Sequence, residues 1–415
     1  MKYIWLLVAT AAAALPQSGN PEPVDNVNSR YTVESVEIRP VEMSTLTRSL
    51  RDRIKSLAGT RFDQEVLDEI ARRIRRELHN RAVSMKVSRG SAPEQLKVTF
   101  EVGKGKSGGD VQVPRFIYHS RQNFTLGIEP RLLHDGHALS FGILTDNNEL
   151  IERYSGIRGG YERTRLAGDH LAVGFNVESW RSQWNRGTET AVAGETQVPG
   201  IYRTRLQFHP NATIKFNQDL TLQLGVSFER LEMQYPAARH ELSSAALTTL
   251  RFQRRWEFSP VSHHDVDASY AFRGASRTLA SDFVYRRHLW QARYAYSHGR
   301  EEIAASFQAG WLNGRAPLYE RFILGNANTL RGWNKYEVAP FGADRMAHVS
   351  VDYRYRMLRL VYDAGAAWLP ATSATLRQSA AIGISSGHLM GVGFLVAFPI
   401  RDGRIEPIFV TGINF

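Results

Sequence analysis

The chain has 415 residues, no cysteine, 33 glycines and a formal net charge of +11. This length suggests two or three ordinary domains, or one large domain with a small one. The absence of cysteine excludes disulfides, thiolate metal sites and a lipid-anchored cysteine behind a signal peptide.

The N-terminus predicts export. One lysine precedes an apolar run from Tyr3 to Ala14, and small residues close that run before Pro16. Because the run is too short to cross a bilayer as a helix, we interpret residues 1–14 as a secretory signal peptide, with a membrane anchor as the alternative. Residues 15–30 are rich in Pro and Asn and are predicted to be a linker.

Residues 31–103 have the pattern of a small α+β domain. An alternating strand, YTVESVEI, is followed by two amphipathic helices, for which Ser44 and Asp63 are the predicted caps. Two more alternating strands, AVSMKVS and QLKVTFEV, complete the order strand–helix–helix–strand–strand. The segment 104–112 is predicted to be a second linker, since position 100, where a phosphate-binding loop needs glycine, is Phe100.

Residues 113–415 alternate with a period of two along most of their length. In HVSVDYRYR, for example, Val349 and Val351 point away from His348 and Ser350. A soluble sandwich also alternates, but about fifteen segments can be counted, and they are longer than ordinary strands. Tyr and Trp lie near the ends of these segments, where a membrane barrel has its aromatic girdles. In addition, a sheet with this many long exposed edges would aggregate in water unless it closed. The pattern therefore predicts a transmembrane antiparallel β-barrel of about sixteen strands, because bacterial single-chain barrels have even numbers.

One segment, GNANTLRGWNKYE at 325–337, interrupts the alternation five predicted strands before the end of the chain. Two acidic residues follow it on later strands, Asp352 in VDYRY and Asp363 in VYDAGAAW. Strand parity places both carboxylates on the polar face of their strands. Gly332 is expected to let the chain turn tightly at the tip of this loop.

These residues resemble the outer-membrane assembly and secretion superfamily that includes BamA, TamA and the two-partner-secretion transporters. Members join periplasmic POTRA domains, which have the strand order given above, to a sixteen-stranded barrel. Their sixth extracellular loop carries a (V/I/L)-R-G-(F/Y/W) motif that folds into the lumen, and Leu330, Arg331, Gly332 and Trp333 match it. The resemblance implies that Arg331 and Gly332, with Asp352 and Asp363, hold the loop inside the barrel, where the guanidinium of Arg331 can make charge-assisted bonds to the two carboxylates.

The end of the chain, FVTGINF, adds to the resemblance. Members end in an aromatic residue that signals their own membrane insertion, and Phe415, with Ile413 on its face, fits this pattern. Two features depart from the family. GNAN stands where the family has Gly-Gly, and a single POTRA domain is present where BamA-type proteins carry several.

The resemblance implies an outer-membrane protein whose POTRA domain lies in the periplasm, with no cofactor and no nucleic acid partner. We expect an assembly factor that binds unfolded outer-membrane polypeptides and inserts them among the outer-membrane lipids, aided by periplasmic chaperones or assembly lipoproteins. A two-partner-secretion-like exporter of secreted polypeptides is the alternative, and a passive porin ranks third.

An enzyme is not expected. GISSG at 383–387 matches G-x-S-x-G, but Ser385 lies between two alternating strands instead of before a helix. His263, His264 and Asp265 are adjacent in a strand or turn, so their side chains diverge, and no further metal ligand is identifiable. No catalytic residue and no metal ligand is therefore predicted.

Overall fold

The computed structural model describes residues 31–413 except 40–42, 44–45, 79–82, 103–107, 135, 147–151, 168–169, 185, 194–199, 218, 260–261, 340, 387–390 and 404. The predicted signal peptide and first linker, residues 1–30, and the predicted C-terminal signal residue Phe415 lie outside the described residues. The chain divides into two compact units, Met1–Lys106 and Ser107–Phe415.

The N-terminal unit is a three-stranded sheet with two helices, as the sequence predicts. In chain order its elements are β1 (Thr32–Arg39), α1 (Arg48–Lys55), α2 (Gln64–Glu77), β2 (Val83–Arg89) and β3 (Gln95–Val102). The sheet order is β1-β3-β2, in which β1 runs parallel and β2 antiparallel to β3. Fourteen buried apolar residues from both helices and all three strands form its own core.

The helix caps differ from the prediction in one place. The side chain of Asp63 accepts hydrogen bonds from the backbone of Glu65 at 2.9 Å, as expected for the cap of α2. The cap of α1 is Thr47, whose hydroxyl accepts from the backbone of Leu50, and Ser44 lies outside the described residues. Thr47 suits this position because its hydroxyl and backbone N–H also bind the carboxylate of Glu77 at 2.7 and 2.9 Å, which joins the two helices.

Glu34 fastens the turn between β2 and β3 to β1. Its carboxylate accepts from the hydroxyl of Ser91 at 2.7 Å and from the backbone N–H of Ser91 at 2.5 Å. These hydrogen bonds, with a smaller contribution from Lys97, hold the pKa of Glu34 below its ordinary value. These contacts therefore favour the ionised form of Glu34 in the folded unit.

The second unit is a closed antiparallel barrel of sixteen long strands, which confirms the predicted fold. The first eight are β4 (Gly108–His119), β5 (Asn123–His134), β6 (His137–Asp146), β7 (Glu152–Leu166), β8 (Leu171–Trp184), β9 (Ile201–Lys215), β10 (Leu220–Tyr235) and β12 (Ala245–Ser259). The others are β13 (Ser262–Ala275), β14 (Val284–His298), β15 (Glu301–Arg315), β16 (Arg345–Tyr355), β17 (Leu358–Trp368), β18 (Arg377–Ser385), β19 (Val392–Ile400) and β20 (Ile408–Ile413). A four-residue strand, β11 (Arg239–Leu242), pairs with residues 230–233 of β10 and lies between β10 and β12 in the wall.

The barrel begins earlier than the sequence indicates. Strand β4 starts at Gly108, inside the segment 104–112 that the composition predicts to be a linker. The reason is cross-strand pairing: Gly108 lies opposite Leu133 of β5, so the partner strand holds these residues in register. Composition alone carries no information about such a partner.

The two faces of the barrel wall differ in polarity. Exposed apolar side chains cover the outside, among them Leu139, Phe141, Ile157, Phe208, Trp290, Phe307 and Ile382. Inward-facing charges pair across neighbouring strands: Arg251 contacts Asp267 at 2.5 Å, and Arg255 contacts Asp265 at 2.5 Å. No helix in the described part of the chain is long and apolar enough to cross a membrane.

The ends of the barrel also differ. At one end the strands are joined by short turns, such as 299–300 and 356–357. At the other end lie longer connections, one of which contains α3 (Arg186–Ala193). The longest, residues 316–344, joins β15 to β16 and contains a 3-10 turn (Leu318–Glu320) and α4 (Lys335–Val338). We call residues 316–344 the lumenal loop.

Candidate functional site

The lumenal loop is part of the barrel interior. Apolar side chains of the loop are buried in one cluster with inward-facing side chains of the wall. The loop contributes Leu318, Phe322, Leu324, Leu330 and Trp333, and the wall contributes Tyr202, Leu231, Met233, Tyr285, Leu312 and Met346. Burial of this apolar surface favours the folded-in loop over one that projects into solvent.

Arg331 anchors the loop to the middle of β17. Its guanidinium Nη1 donates to both carboxylate oxygens of Asp363, at 2.8 and 3.0 Å, and to the hydroxyl of Ser350 at 3.3 Å. The backbone N–H of Arg331 donates to the same carboxylate at 3.1 Å. Asp363 is 1% exposed. Loss of either partner would therefore leave an uncompensated charge in the interior.

His348 completes the Arg331 anchor, and sequence reasoning did not select it. The backbone N–H of Leu330 donates to its Nε2 at 3.2 Å, and the same nitrogen lies 3.5 Å from Asp363. A signal for His348 existed in the alternation of β16, because it shares the inward face with Ser350 and Asp352. Because side chains alternate along a strand, a residue two positions before Ser350 faces the same side of the wall.

Asp352 has other partners than the sequence suggests. It faces inward, as parity predicts, but its carboxylate accepts from Arg359 at 2.6 and 2.9 Å and lies 3.4 Å from Arg354. Asp352 therefore makes its hydrogen bonds to Arg359 and Arg354 instead of Arg331, and Arg331 acts on it only as a nearby charge. The reason is register: Ser350 lies directly opposite Asp363, whereas Asp352 is two residues nearer the short-turn end, beside Arg359.

Gly332 is required for close approach, and the expected tight turn lies two residues earlier. The left-handed backbone conformation is at Leu330, with φ 50°. A Cβ on Gly332 would lie 2.6 Å from Cβ of Ser379 and 2.7 Å from backbone atoms of Phe398 and Pro399. Only glycine lets the loop pack this closely on β18 and β19.

Trp333 fixes the segment that follows. Its Nε1 donates to the carbonyl of Gln378 at 2.7 Å, and its ring is 2% exposed. The guanidinium groups of Arg377 and Arg401 lie over the ring at 4.6 and 5.5 Å from its centroid. Such contacts stabilise an aromatic ring by cation–π attraction in addition to burial.

The tip of the loop lies against the first and last strands. The side chain of Asn326 accepts from the backbone of Asn328 and Thr329, at 2.9 and 3.0 Å, and closes a tight turn. This turn lies in the GNAN segment, residues 325–328. Gln122, between β4 and β5, donates to the carbonyl of Gly325 at 2.7 Å. The neighbouring Ala327 is buried in a cluster with residues of β4, β17, β18, β19 and β20: Ile117, Val361, Ala381, Leu395, Ala397, Ile408 and Val410.

Among the sixteen long strands, β4 and β20 share the fewest residue pairs in the part of the chain that the structure describes. Between the described residues of the two strands there are four pairs, from Val410 opposite His119 to Ile413 opposite Phe116. By comparison, β16 and β17 form eleven pairs. Ile413, a predicted insertion-signal residue, lies within this seam, while Phe415 lies outside the described residues. We refer to the β4–β20 contact as the seam.

The N-terminal unit has one edge strand that is more accessible than the other. The outer edge of β1 is partly covered, because Phe62 donates to the carbonyl of Tyr31 and Gly59 to that of Val33, both at 2.8 Å. On β2, most residues are exposed, and in the described part of the chain no strand pairs with its outer edge. An unpaired edge of this kind can accept an extended chain.

The two sequence patterns that mimic enzyme sites have structural roles. Ser385 is the last residue of β18 and its backbone N–H donates to the carbonyl of Met357 at 2.8 Å. His263 and Asp265 face the lumen, where Asp265 pairs with Arg255, whereas His264 contacts Tyr294 on the outside. The described residues contain no group of three or more His, Asp or Glu side chains able to hold a metal ion.

Comparisons with known proteins agree with this architecture. The Omp85 superfamily domain matches residues 135–400. BamA from Haemophilus ducreyi lacking POTRA domains 1–3 is similar in fold, with a TM-score of 0.54 and 14% identity over 92% of this chain and 84% of that one. CdiB from Acinetobacter baumannii has the same TM-score, 0.54, with 10% identity over 98% and 95% of the two chains. CdiB from Escherichia coli has a TM-score of 0.52, with 12% identity over 93% of this chain and 76% of that one. No curated protein matches the chain by sequence.

Proposed function

Since the chain belongs to the Omp85 superfamily of outer-membrane β-barrels, we propose that it inserts client polypeptides into the outer membrane through the seam. The observation that carries this proposal is the four-pair contact between β4 and β20. Each residue pair contributes ladder hydrogen bonds, so the contact with the fewest described pairs is where we expect the wall to open at the lowest cost in free energy.

The position of the lumenal loop supports a route through the wall. The loop fills the long-loop end of the lumen with a buried apolar cluster, and the Arg331 anchor holds it there. A client that entered from the short-turn end would meet this obstruction. The seam gives it direct access to the membrane lipids.

The N-terminal unit, a POTRA-like domain, would deliver the client. The accessible edge of β2 can pair with an extended chain through main-chain hydrogen bonds, which do not depend on the client sequence. The partners of this proposal are unfolded outer-membrane polypeptides, the outer-membrane lipids, and periplasmic chaperones or assembly lipoproteins that hand the client over.

Export of a secreted polypeptide is the second candidate. The observation in its favour is the polar lining of the lumen towards the short-turn end, where Arg293 pairs with Glu302 at 2.9 Å and Arg251 with Asp267 at 2.5 Å. Because these charges are paired with each other, they give the lumen a hydrated surface along which an extended chain can slide. Export would require the lumenal loop to leave the lumen.

A removable lock on the seam separates the two candidates. Tyr118 and Thr411 lie directly opposite each other on β4 and β20, and cysteines at both positions can form a cross-strand disulfide in a chain that has no other thiol. Val351 and Tyr362, opposed on β16 and β17, provide the matched control pair. Each variant is reconstituted into liposomes with a chaperone-delivered barrel client, whose folding is followed by its heat-modifiable gel mobility.

We expect the oxidised seam pair to abolish the acceleration of client folding, reduction to restore it, and the control pair to have no effect. Folding that continues at the wild-type rate with a closed seam would rule out insertion through the seam. Vesicles that instead release a secreted polypeptide, with the seam locked or free, would establish the exporter.

A further inference from the structure

The lumenal loop has a second attachment to the barrel wall, away from the Arg331 motif. It lies in the 3-10 turn Leu318–Glu320, at the start of the loop, and contacts β10, β13 and β14. The Arg331 anchor contacts β16 and β17. The loop is therefore fixed to two different sectors of the wall.

Glu320 carries most of the second attachment. Its carboxylate lies 3.1 Å from Nε of Arg273 and 3.6 Å from Nε of Arg287, and its backbone carbonyl accepts from the same nitrogen of Arg287 at 2.8 Å. The side chain of Glu320 is 7% exposed. A buried carboxylate between two guanidinium groups is stable only while its partners stay in place.

Tyr319 extends the contact to β10. Its hydroxyl donates to the carboxylate of Glu229, and that carboxylate also pairs with Arg273. Arg205 of β9 lies over the ring of Tyr319, 4.4 Å from its centroid. Arg273 further donates to the hydroxyl groups of Ser227 at 2.8 Å and Tyr285 at 3.0 Å. The loop thus completes a buried network to which four strands contribute.

The balance of charge shows why the loop belongs to this network. Without Glu320, Arg273 would keep the buried carboxylate of Glu229 as a partner, whereas Arg287 would lose its ion pair with Glu320. Glu320 supplies the second negative charge. The charge-assisted contacts between this carboxylate and the two guanidinium groups favour the loop in its inserted position.

We propose that Tyr319 and Glu320 form a second anchor, the Glu320 anchor, which keeps the lumenal loop closed together with the Arg331 anchor. Passage through the lumen then requires both anchors to release. The inference goes beyond the proposed function and applies to an insertase and an exporter alike, because it concerns the closed state of the barrel.

Ion conductance across planar bilayers tests the proposal without any client. The variant Glu320→Gln keeps the shape of the side chain and removes its charge, and Tyr319→Phe removes the hydroxyl that binds Glu229. The matched control is Glu337→Gln, in the same loop, because Glu337 pairs with Arg401 at 3.0 Å on the exposed surface. Each change is made in the wild type and in Arg331→Ala, and heat-modifiable mobility checks that the barrel has folded.

We expect Glu320→Gln and Tyr319→Phe to raise the mean conductance in both backgrounds by a similar factor, since separate anchors act independently. Glu337→Gln should leave the conductance unchanged. The proposal is overturned if both anchor variants conduct like their parents, or if Arg331→Ala alone opens the pore fully. If Glu320→Gln does not fold, Tyr319→Phe decides by the same criterion.

Discussion

Asp363 and Asp352 are inward-facing carboxylates on neighbouring strands, yet their roles at the residue level differ. Asp363 binds the loop through Arg331, whereas Asp352 binds Arg359 within the wall. We expect Asp363→Asn to weaken the attachment of the loop by about 3–5 kcal/mol, because the buried guanidinium loses its counter-charge. Asp352→Asn should leave the loop in place.

Limited trypsin digestion of the folded, detergent-solubilised protein measures this difference. The bond after Arg331 is protected while its side chain is buried, so cleavage there reports release of the loop. Asp363→Asn should be cut and Asp352→Asn should resist like the wild type. Equal cleavage of both variants would contradict the assignment.

Gly332 gives a steric test of how closely the lumenal loop packs on the wall. An alanine Cβ would meet atoms of Ser379, Phe398 and Pro399 at 2.6 to 2.7 Å, two of them in strand backbone that cannot move aside. We expect Gly332→Ala to displace the loop at a cost of about 1–3 kcal/mol and to expose the bond after Arg331 to trypsin. The control is Gly159→Ala, where an added Cβ meets nothing within 4 Å. A wild-type digestion pattern for Gly332→Ala would refute the close-packing argument.

At the level of elements, the accessible edge of β2 is the part of the N-terminal unit that we expect to meet a client. A photoreactive amino acid at Val87, on this strand, should cross-link to an unfolded barrel polypeptide. The control position is Tyr31, which is similarly exposed but whose carbonyl is bonded to Phe62. Cross-linking of equal strength at both positions would mean that the client is not held by strand addition to β2.

At the level of the whole molecule, the two compact units have separate cores. We therefore propose that the domain boundary lies between them and that each unit folds without the other. A soluble fragment of residues 31–106 should unfold cooperatively in urea, with a free energy of unfolding of roughly 3–8 kcal/mol for its size. Residues 107–415 should refold in detergent to a heat-modifiable barrel. A fragment without a cooperative transition would show that the N-terminal core needs the barrel.

Much of the architecture could be predicted from local patterns. Alternation with a period of two fixes which side of a strand each residue faces, so the polar face of β16, and with it His348, Ser350 and Asp352, follows from the sequence. The same parity places Asp363 inside the barrel. The order of helices and strands in the N-terminal unit follows from the spacing of apolar residues between positions 31 and 103, which changes between the period of a strand and that of a helix.

Partners across the barrel could not be predicted in this way. Which carboxylate meets Arg331 depends on the register of β16 against β17, and the need for glycine at 332 depends on the backbone of β19. The Glu320 anchor joins residues of β10, β13 and β14 to the lumenal loop, at distances of 33 to 90 positions along the chain. Sequence alone therefore determined the strands, their inward faces and the loop motif, because these depend on neighbours in the chain. Tertiary structure alone decided the contacts that hold the loop, because closure of the barrel brings those residues together.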